Sequence, residues 1–132
     1  MTQPQDPPVS VKAALGCGDG WVLLRNERDE WELPGGRVDA TDATLQDVVR
    51  RECREELGVA VKVGPFIDAY LFEVIPGRRV TIVCFAASVP DQVALTISDE
   101  HNAVGVFSAP ELAQLRLPEG YRNAIEKASL IL

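Results

Sequence analysis

Cysteine is scarce in this chain and wrongly spaced for the chemistry it can carry. Cys17, Cys53 and Cys84 form no C-x-x-C pair, which excludes a disulfide framework and a cysteine-ligated zinc site. Each stands in an apolar or helical context, so buried free thiols are expected. Long apolar runs are missing as well. The longest, around Val80–Val89, is too short and interrupted to span a membrane. The first ten residues, MTQPQDPPVS, contain no apolar stretch of the kind a signal peptide needs and read as a frayed arm. Basic excess is absent: 13 Lys and Arg stand against 20 Asp and Glu, for a net charge of −7. That balance excludes a nucleic-acid surface built on phosphate contacts. An anionic partner would need a cation between itself and this protein, and a divalent metal is the obvious one. Repeats, low-complexity tracts and linkers are lacking after residue 10. Residues 1–9 therefore read as a flexible N-terminal arm and residues 10–132 as a single domain. A length of 132 residues with 46% hydrophobic content suits one domain with a real core. The expectation is a soluble cytoplasmic protein without a membrane partner, as a monomer or homodimer.

What is present reads as strands with helices at the middle and the end. Val11–Leu15 and Trp21–Arg25 are strands joined by the turn GCGDG, NERDE is a loop, and WEL is a short strand ending at Pro34-Gly35-Gly36. Thr44 with Asp47 opens a helix that Gly58 closes after Leu57. Val59–Val63, Phe66–Val74 and Arg79–Ala87 are strands, the last two joined at Ile75-Pro76-Gly77. Gln92–Ile97 and Val104–Phe107 are weaker ones. A capping box, Ser108 with Glu111, opens a short helix through Leu115. The last helix runs from about Glu119, with Tyr121, Ala124, Ile125, Ala128 and Ile131 as its apolar stripe. The pattern predicts a mixed sheet covered by helices.

The stretch RRECREELG, residues 50–58, breaks the expected division between core and surface. The apolar stripe Leu45, Val48, Val49 continues inward at positions 52, 53 and 56. Cys53 obeys, but 52 and 56 are glutamates, and Glu55 lies beside them. The carboxylates thus lie along the edge of the buried face, where neighbouring like charges are unfavourable unless a cation binds them. Hard oxygen ligands at this spacing suit Mg²⁺ or Mn²⁺ rather than zinc. Leu33-Pro34-Gly35-Gly36 comes just before the helix, and two glycines let backbone approach a ligand closely.

Gly36 through Val59, GRVDATDATLQDVVRRECREELGV, resembles the Nudix box, G-x5-E-x7-R-E-U-x-E-E-x-G-U, where U is a bulky aliphatic residue. Arg51, Glu52, Glu55, Glu56, Gly58 and Val59 match position by position, with Cys53 a soft substitution at the first U. The interval from Gly36 to Arg51 is one residue longer than the family spacing. Counting forward lands on Asp42 and counting back lands on Ala43, so the usual first glutamate is missing.

The resemblance implies a Nudix-type α/β/α sandwich, with a mixed β-sheet between helices. It implies a hydrolase that cleaves a nucleoside diphosphate linked to another moiety by attack of water on phosphorus. Mg²⁺ or Mn²⁺ is then the cofactor, held by Glu52, Glu55, Glu56 and the Gly36 carbonyl. Glu52 and Glu100, the latter in the loop SDEHN, are both candidates for the general base. Arg51 pairs with loop carboxylates, Asp42 being the expected brace in place of the missing glutamate. Arg37 is a candidate phosphate contact, and Trp31, with Phe72 and Phe107 as other candidates, a base-stacking one. His101 reads as an incidental surface residue. Size and compact ends resemble the MutT-type nucleoside triphosphate pyrophosphohydrolases. The alternative is a degenerate Nudix domain that binds a nucleotide as a sensor or adaptor without cleaving it.

Overall fold

Strand β1, Val9–Cys17, is buried along nearly its whole length, because it runs through the middle of the sheet with both faces covered. The computed structural model of the protein describes residues 7–132. Seven strands form one mixed sheet: β2 (Gly20–Arg25), β3 (Trp31–Glu32), β4 (Gly35–Arg37), β5 (Lys62–Ile75), β6 (Arg78–Val89) and β7 (Ala103–Phe107) join β1. The order along the sheet is β3-β2-β1-β6-β5, with β4 on β1 and β7 on β2. Among the described residues only the β1–β6 pairing is parallel.

Side chains alternate between two cores. Val11, Ala13, Leu15, Val22 and Leu24 pack under helix α1 (Leu45–Leu57) against Val48, Val49, Cys53 and Leu57. Ala14, Leu23, Ile82 and Cys84 pack on the other face against Tyr121, Ala124, Ile125 and Ala128 of helix α3 (Glu119–Ser129). Helix α2, Ala109–Leu112, is a single turn opened by the Ser108–Glu111 capping box. The result is the expected α/β/α sandwich. All three cysteines are free and buried. Among the described residues no helix is long and apolar enough to cross a membrane.

Several boundaries differ from the sequence reading, for physical reasons. The limit at residue 10 falls inside β1, which begins at Val9, and the Pro8 carbonyl accepts from Thr81 N–H. Residues 1–6 of the expected arm lie outside the described residues. Val59–Val63 and Phe66–Val74 are not two strands. Lys62–Ile75 is one, with register shifts around Phe66 where Pro65 has no N–H to give the ladder. Gln92–Ile97 is not a strand. Val93 and Leu95 alternate because they pack on the α1-side core, while Thr96 N–H donates to the Leu57 carbonyl instead of to a sheet. The turns after α2 reach Leu115 without extending the helix. Ile131 lies beyond the end of α3 and is half exposed.

Helix α1 has the ends its sequence specifies. Thr44 Oγ1 accepts from Asp47 N–H at 3.1 Å, and Gly58 adopts φ 71°, donating to the Arg54 carbonyl. A Cβ at Gly58 would stand 2.7 Å from Thr96 Oγ1. Gly58→Ala is therefore expected to destabilise the protein by about 1–2 kcal/mol, the usual left-handed penalty for a residue with a Cβ. Urea unfolding of the two proteins measures it.

Candidate active site

The phase of α1 decides where each carboxylate goes. Positions 48, 49, 53 and 57 bury apolar side chains, so positions 52 and 56 face β4 across the same edge. Glu56 is 4% exposed, and its Oε1 accepts from Gly35 N–H at 2.9 Å. The Glu52 carboxylate lies directly over Gly36, where a Cβ would come within 2.6 Å of it. Gly36 is thus a close-approach glycine, whatever its carbonyl does. Glu55 departs from the expected face: its side chain is 60% exposed and turns outward.

Burial shows in the proton affinities. Desolvation pushes Glu56 up to about 7, against the opposing field of Lys12 and the hydrogen bond from Gly35. Glu52 is also raised by burial, partly offset by hydrogen bonding to Arg51. A small pocket opens over this pair, lined by Glu52, Glu55, Glu56, Ser98 and Glu100. The loop after β6 brings Ser98 and Glu100 there, held by Thr96 at the end of α1 and by Asn102 N–H on the Arg25 carbonyl. Ser98 Oγ is buried without a hydrogen-bond partner among the described residues.

Arg51 stands beside Glu52 on α1, outside the lining of the pocket. Its Nε and Nη2 donate to Asp42 Oδ1 and Oδ2 at 3.0 and 2.8 Å, a bidentate pair. Nη1 bridges Glu52 Oε2 and Glu55 Oε1 at 3.0 and 3.1 Å, and Nη2 also reaches the Arg37 carbonyl at 3.0 Å. The hydrogen bonds from Arg51 hold Asp42 below the usual carboxylate range. The Asp42 carboxylate in turn accepts from Asp39 N–H at 2.8 Å, so the loop folds around the pair.

Beneath the turn lies a second polar group that the sequence reading did not assemble. His101 is no surface residue. Its side chain is 5% exposed, and Nε2 meets Glu32 Oε2 at 2.7 Å. Burial works to raise Glu32, but His101, Lys12 and Asn26 together hold it down at about 2. Lys12, from the apolar strand β1, donates to the Leu33 and Gly35 carbonyls. Its presence among valines and alanines was the signal that a buried charge needed partners. Ser98 offered no such signal.

Trp31 and Arg37 do not line the pocket. Trp31 packs edge-on against Phe107, ring centroids 4.8 Å apart, and Phe72 lies against Tyr121. The Arg37 side chain is exposed and makes no ion pair among the described residues.

The donor chemistry around the pocket fits a hard divalent cation: every residue lining it has an oxygen-bearing side chain, and one hydroxyl lacks a partner among the described residues. Among the described residues no three acidic, histidine or cysteine side chains converge on one point as they stand. The reason is local, since Arg51 Nη1 draws Glu52 and Glu55 to itself. Each of those two carboxylates keeps its other oxygen, Glu52 Oε1 and Glu55 Oε2, off the guanidinium.

Known proteins resemble the chain over nearly its whole length. The sequence profile of the NUDIX domain matches residues 7–128. A CTP pyrophosphohydrolase of Escherichia coli (strain K12) is 35% identical over 111 residues, covering 80% of this chain and 78% of that one. Among solved structures, the MutT NUDIX hydrolase from Burkholderia pseudomallei is 26% identical with a TM-score of 0.78, covering 93% of this chain and 98% of that one. The MutT protein from Methanosarcina mazei Go1 shares the fold at a TM-score of 0.80 and 24% identity, covering 97% of each chain.

The raised Glu56 has a consequence for stability. Its folded value of about 7 lies above the ordinary 4.5, so between these values the folded chain binds the proton more tightly than the unfolded chain. Its contribution to stability falls as pH rises through that window. In chelator, thermal melts from pH 4.5 to 7.5 are expected to decline less for Glu56→Gln than for the parent protein.

Proposed function

The chain belongs to the NUDIX family of hydrolases, and from that premise we propose that it is a Mg²⁺- or Mn²⁺-dependent pyrophosphohydrolase of nucleoside triphosphates. The observation that carries the reading is the pocket lined by Glu52, Glu55, Glu56 and Glu100, with the Glu52 carboxylate over Gly36. Glu52, Glu55 and Glu56, with the Gly36 carbonyl, hold the cation, and Ser98 Oγ stands beside them. When bound, the cation neutralises phosphate charge and lowers the pKa of a coordinated water. Phosphoryl transfer needs mostly positioning and charge neutralisation, so the chain requires no nucleophile of its own. Glu52, whose proton affinity burial raises, or Glu100 takes the proton from the attacking water. Arg51, anchored on Asp42, braces the loop after β4 against the Arg37 carbonyl. The exposed Arg37 guanidinium meets a phosphate. Trp31 offers its outer face to a base.

The site works in the cytoplasm on a small-molecule nucleotide. The relative that cleaves CTP makes CTP the first substrate to try. The sensor reading drew on Ala43 in place of the first glutamate of the box. Asp42, one position earlier, supports catalysis instead, because it gives Arg51 the carboxylate that Ala43 lacks. The deciding experiment is a phosphate-release screen with coupled pyrophosphatase, with and without Mg²⁺. Its panel is CTP, the other nucleoside triphosphates, nucleotide sugars, ADP-ribose and dinucleoside polyphosphates. Metal-dependent release from a triphosphate is expected; binding without release from any of them returns the sensor reading.

Two variant sets test the assignments. Glu55→Gln and Glu56→Gln are each expected to lower turnover by roughly 10²-fold or more, in the range of lost polar catalytic groups. Wild-type turnover in both would remove the metal role. Asp42→Ala and Arg51→Ala are expected to be non-additive in turnover, the double variant being no slower than Arg51→Ala alone. Multiplicative losses would mean that Asp42 does not act through Arg51.

A further inference from the structure

Lys12 is 7% exposed in the middle of an apolar strand. Among the described residues no carboxylate lies within ion-pair distance of it. Its ammonium donates to the Leu33 carbonyl at 3.2 Å and makes a longer 3.5 Å contact with the Gly35 carbonyl. On its other side it faces the Tyr121 ring, 5.9 Å from the centroid. A buried ammonium satisfied mainly by carbonyls is unfavourable unless charges nearby compensate it. Burial alone would lower its pKa, yet Tyr121, Glu32, Glu56 and Glu52 together raise it, so it stays charged.

The Leu33 and Gly35 carbonyls that Lys12 holds flank the Pro34–Gly35 peptide, whose own carbonyl accepts from Ala13 N–H. The N–H of that middle peptide, from Gly35, donates to Glu56 Oε1, so the buried ammonium holds the turn on both sides of the amide that meets the buried carboxylate. We propose that Lys12 is a positioning residue of the active site: by clamping the Leu33 and Gly35 carbonyls it fixes the amide that engages Glu56 Oε1, leaving Oε2 to the cation. The inference rests on the reading of Glu56 as a cation ligand. It assigns the lysine a role opposite to its charge. A cation buried near a metal site repels the metal, so charge alone would make its removal tighten metal binding. Removal of a clamp weakens it.

That opposition makes the test sharp. Mn²⁺ affinity is measured from the electron paramagnetic resonance signal of free Mn²⁺, for the parent protein, Lys12→Met and Glu56→Gln. The Gly35 amide is followed by proton–nitrogen NMR without metal. Lys12→Met is expected to weaken Mn²⁺ binding about 10-fold or more, the usual loss when support behind a ligand is removed. Its Gly35 amide proton should move upfield and exchange faster, and kcat should fall with KM little changed. Unchanged or tighter Mn²⁺ binding in Lys12→Met, with Glu56→Gln still weakened, overturns the proposal and leaves Glu56 a ligand. A lower melting temperature with parent-like Mn²⁺ affinity also overturns it, as a merely structural lysine. Mn²⁺ affinity unchanged in Glu56→Gln defeats the ligand reading itself, and the role of Lys12 with it. Should Lys12→Met not fold, Lys12→Leu, neutral and without a donor, is read by the same measurements and the same criteria.

Discussion

A carboxylate taken out of water must keep a proton, find donors or meet a cation, and Glu56 draws on all three. One oxygen accepts from Gly35 N–H, Lys12 supplies a fixed positive field, and burial still holds its proton affinity near neutrality. The bond between Glu56 and Gly35 joins α1 to the start of β4, and through β4 to the central strand. Helix, turn and sheet edge are therefore registered by the same group that faces the pocket. Apolar packing of Val48, Val49, Cys53 and Leu57 holds the helix down, and this polar contact sets where along the sheet it sits.

Around that contact the charges are arranged in layers. Arg51 gathers Asp42, Glu52 and Glu55 at the rim, while Lys12, Glu32 and His101 stand beneath the turn. An acidic protein with a net charge of −7 thus concentrates its few inward cations where its carboxylates are crowded. The rim cation is anchored bidentately on Asp42, and its contact with the exposed Glu55 is through a single oxygen. The lower cation is locked.

Much of this was legible in residue order because helical phase is local. Thr44 and Gly58 marked the ends of α1, and a period of 3.6 residues sent 52 and 56 inward whatever the rest of the chain did. Asp42 was legible for the same reason, as a carboxylate just ahead of a capped helix that carries Arg51. What depended on strand register was not. Lys12 finds its acceptors only because β4 pairs with β1, placing Gly35 opposite it. His101 sits in a polar pentapeptide that reads as surface, and its partner Glu32 is 69 residues away. Gln92–Ile97 misled because alternating apolar residues serve a segment laid on a core as well as a strand.

That segment, between β6 and β7, is fastened to the rest by isolated bonds rather than by a ladder. Thr96 holds it at the end of α1, His101 at Glu32 and Asn102 at Arg25 and Asn26. Ser98 and Glu100 ride between the fastenings. The free energy needed to lift them is then set by the nearest fastenings alone, well below the cost of unfolding the sheet. Such a strap can vary in length between its fixed points, from one relative to another, while β6 and β7 keep their places. Differences in which molecule the pocket accepts can therefore accumulate there without taxing the stability of the fold.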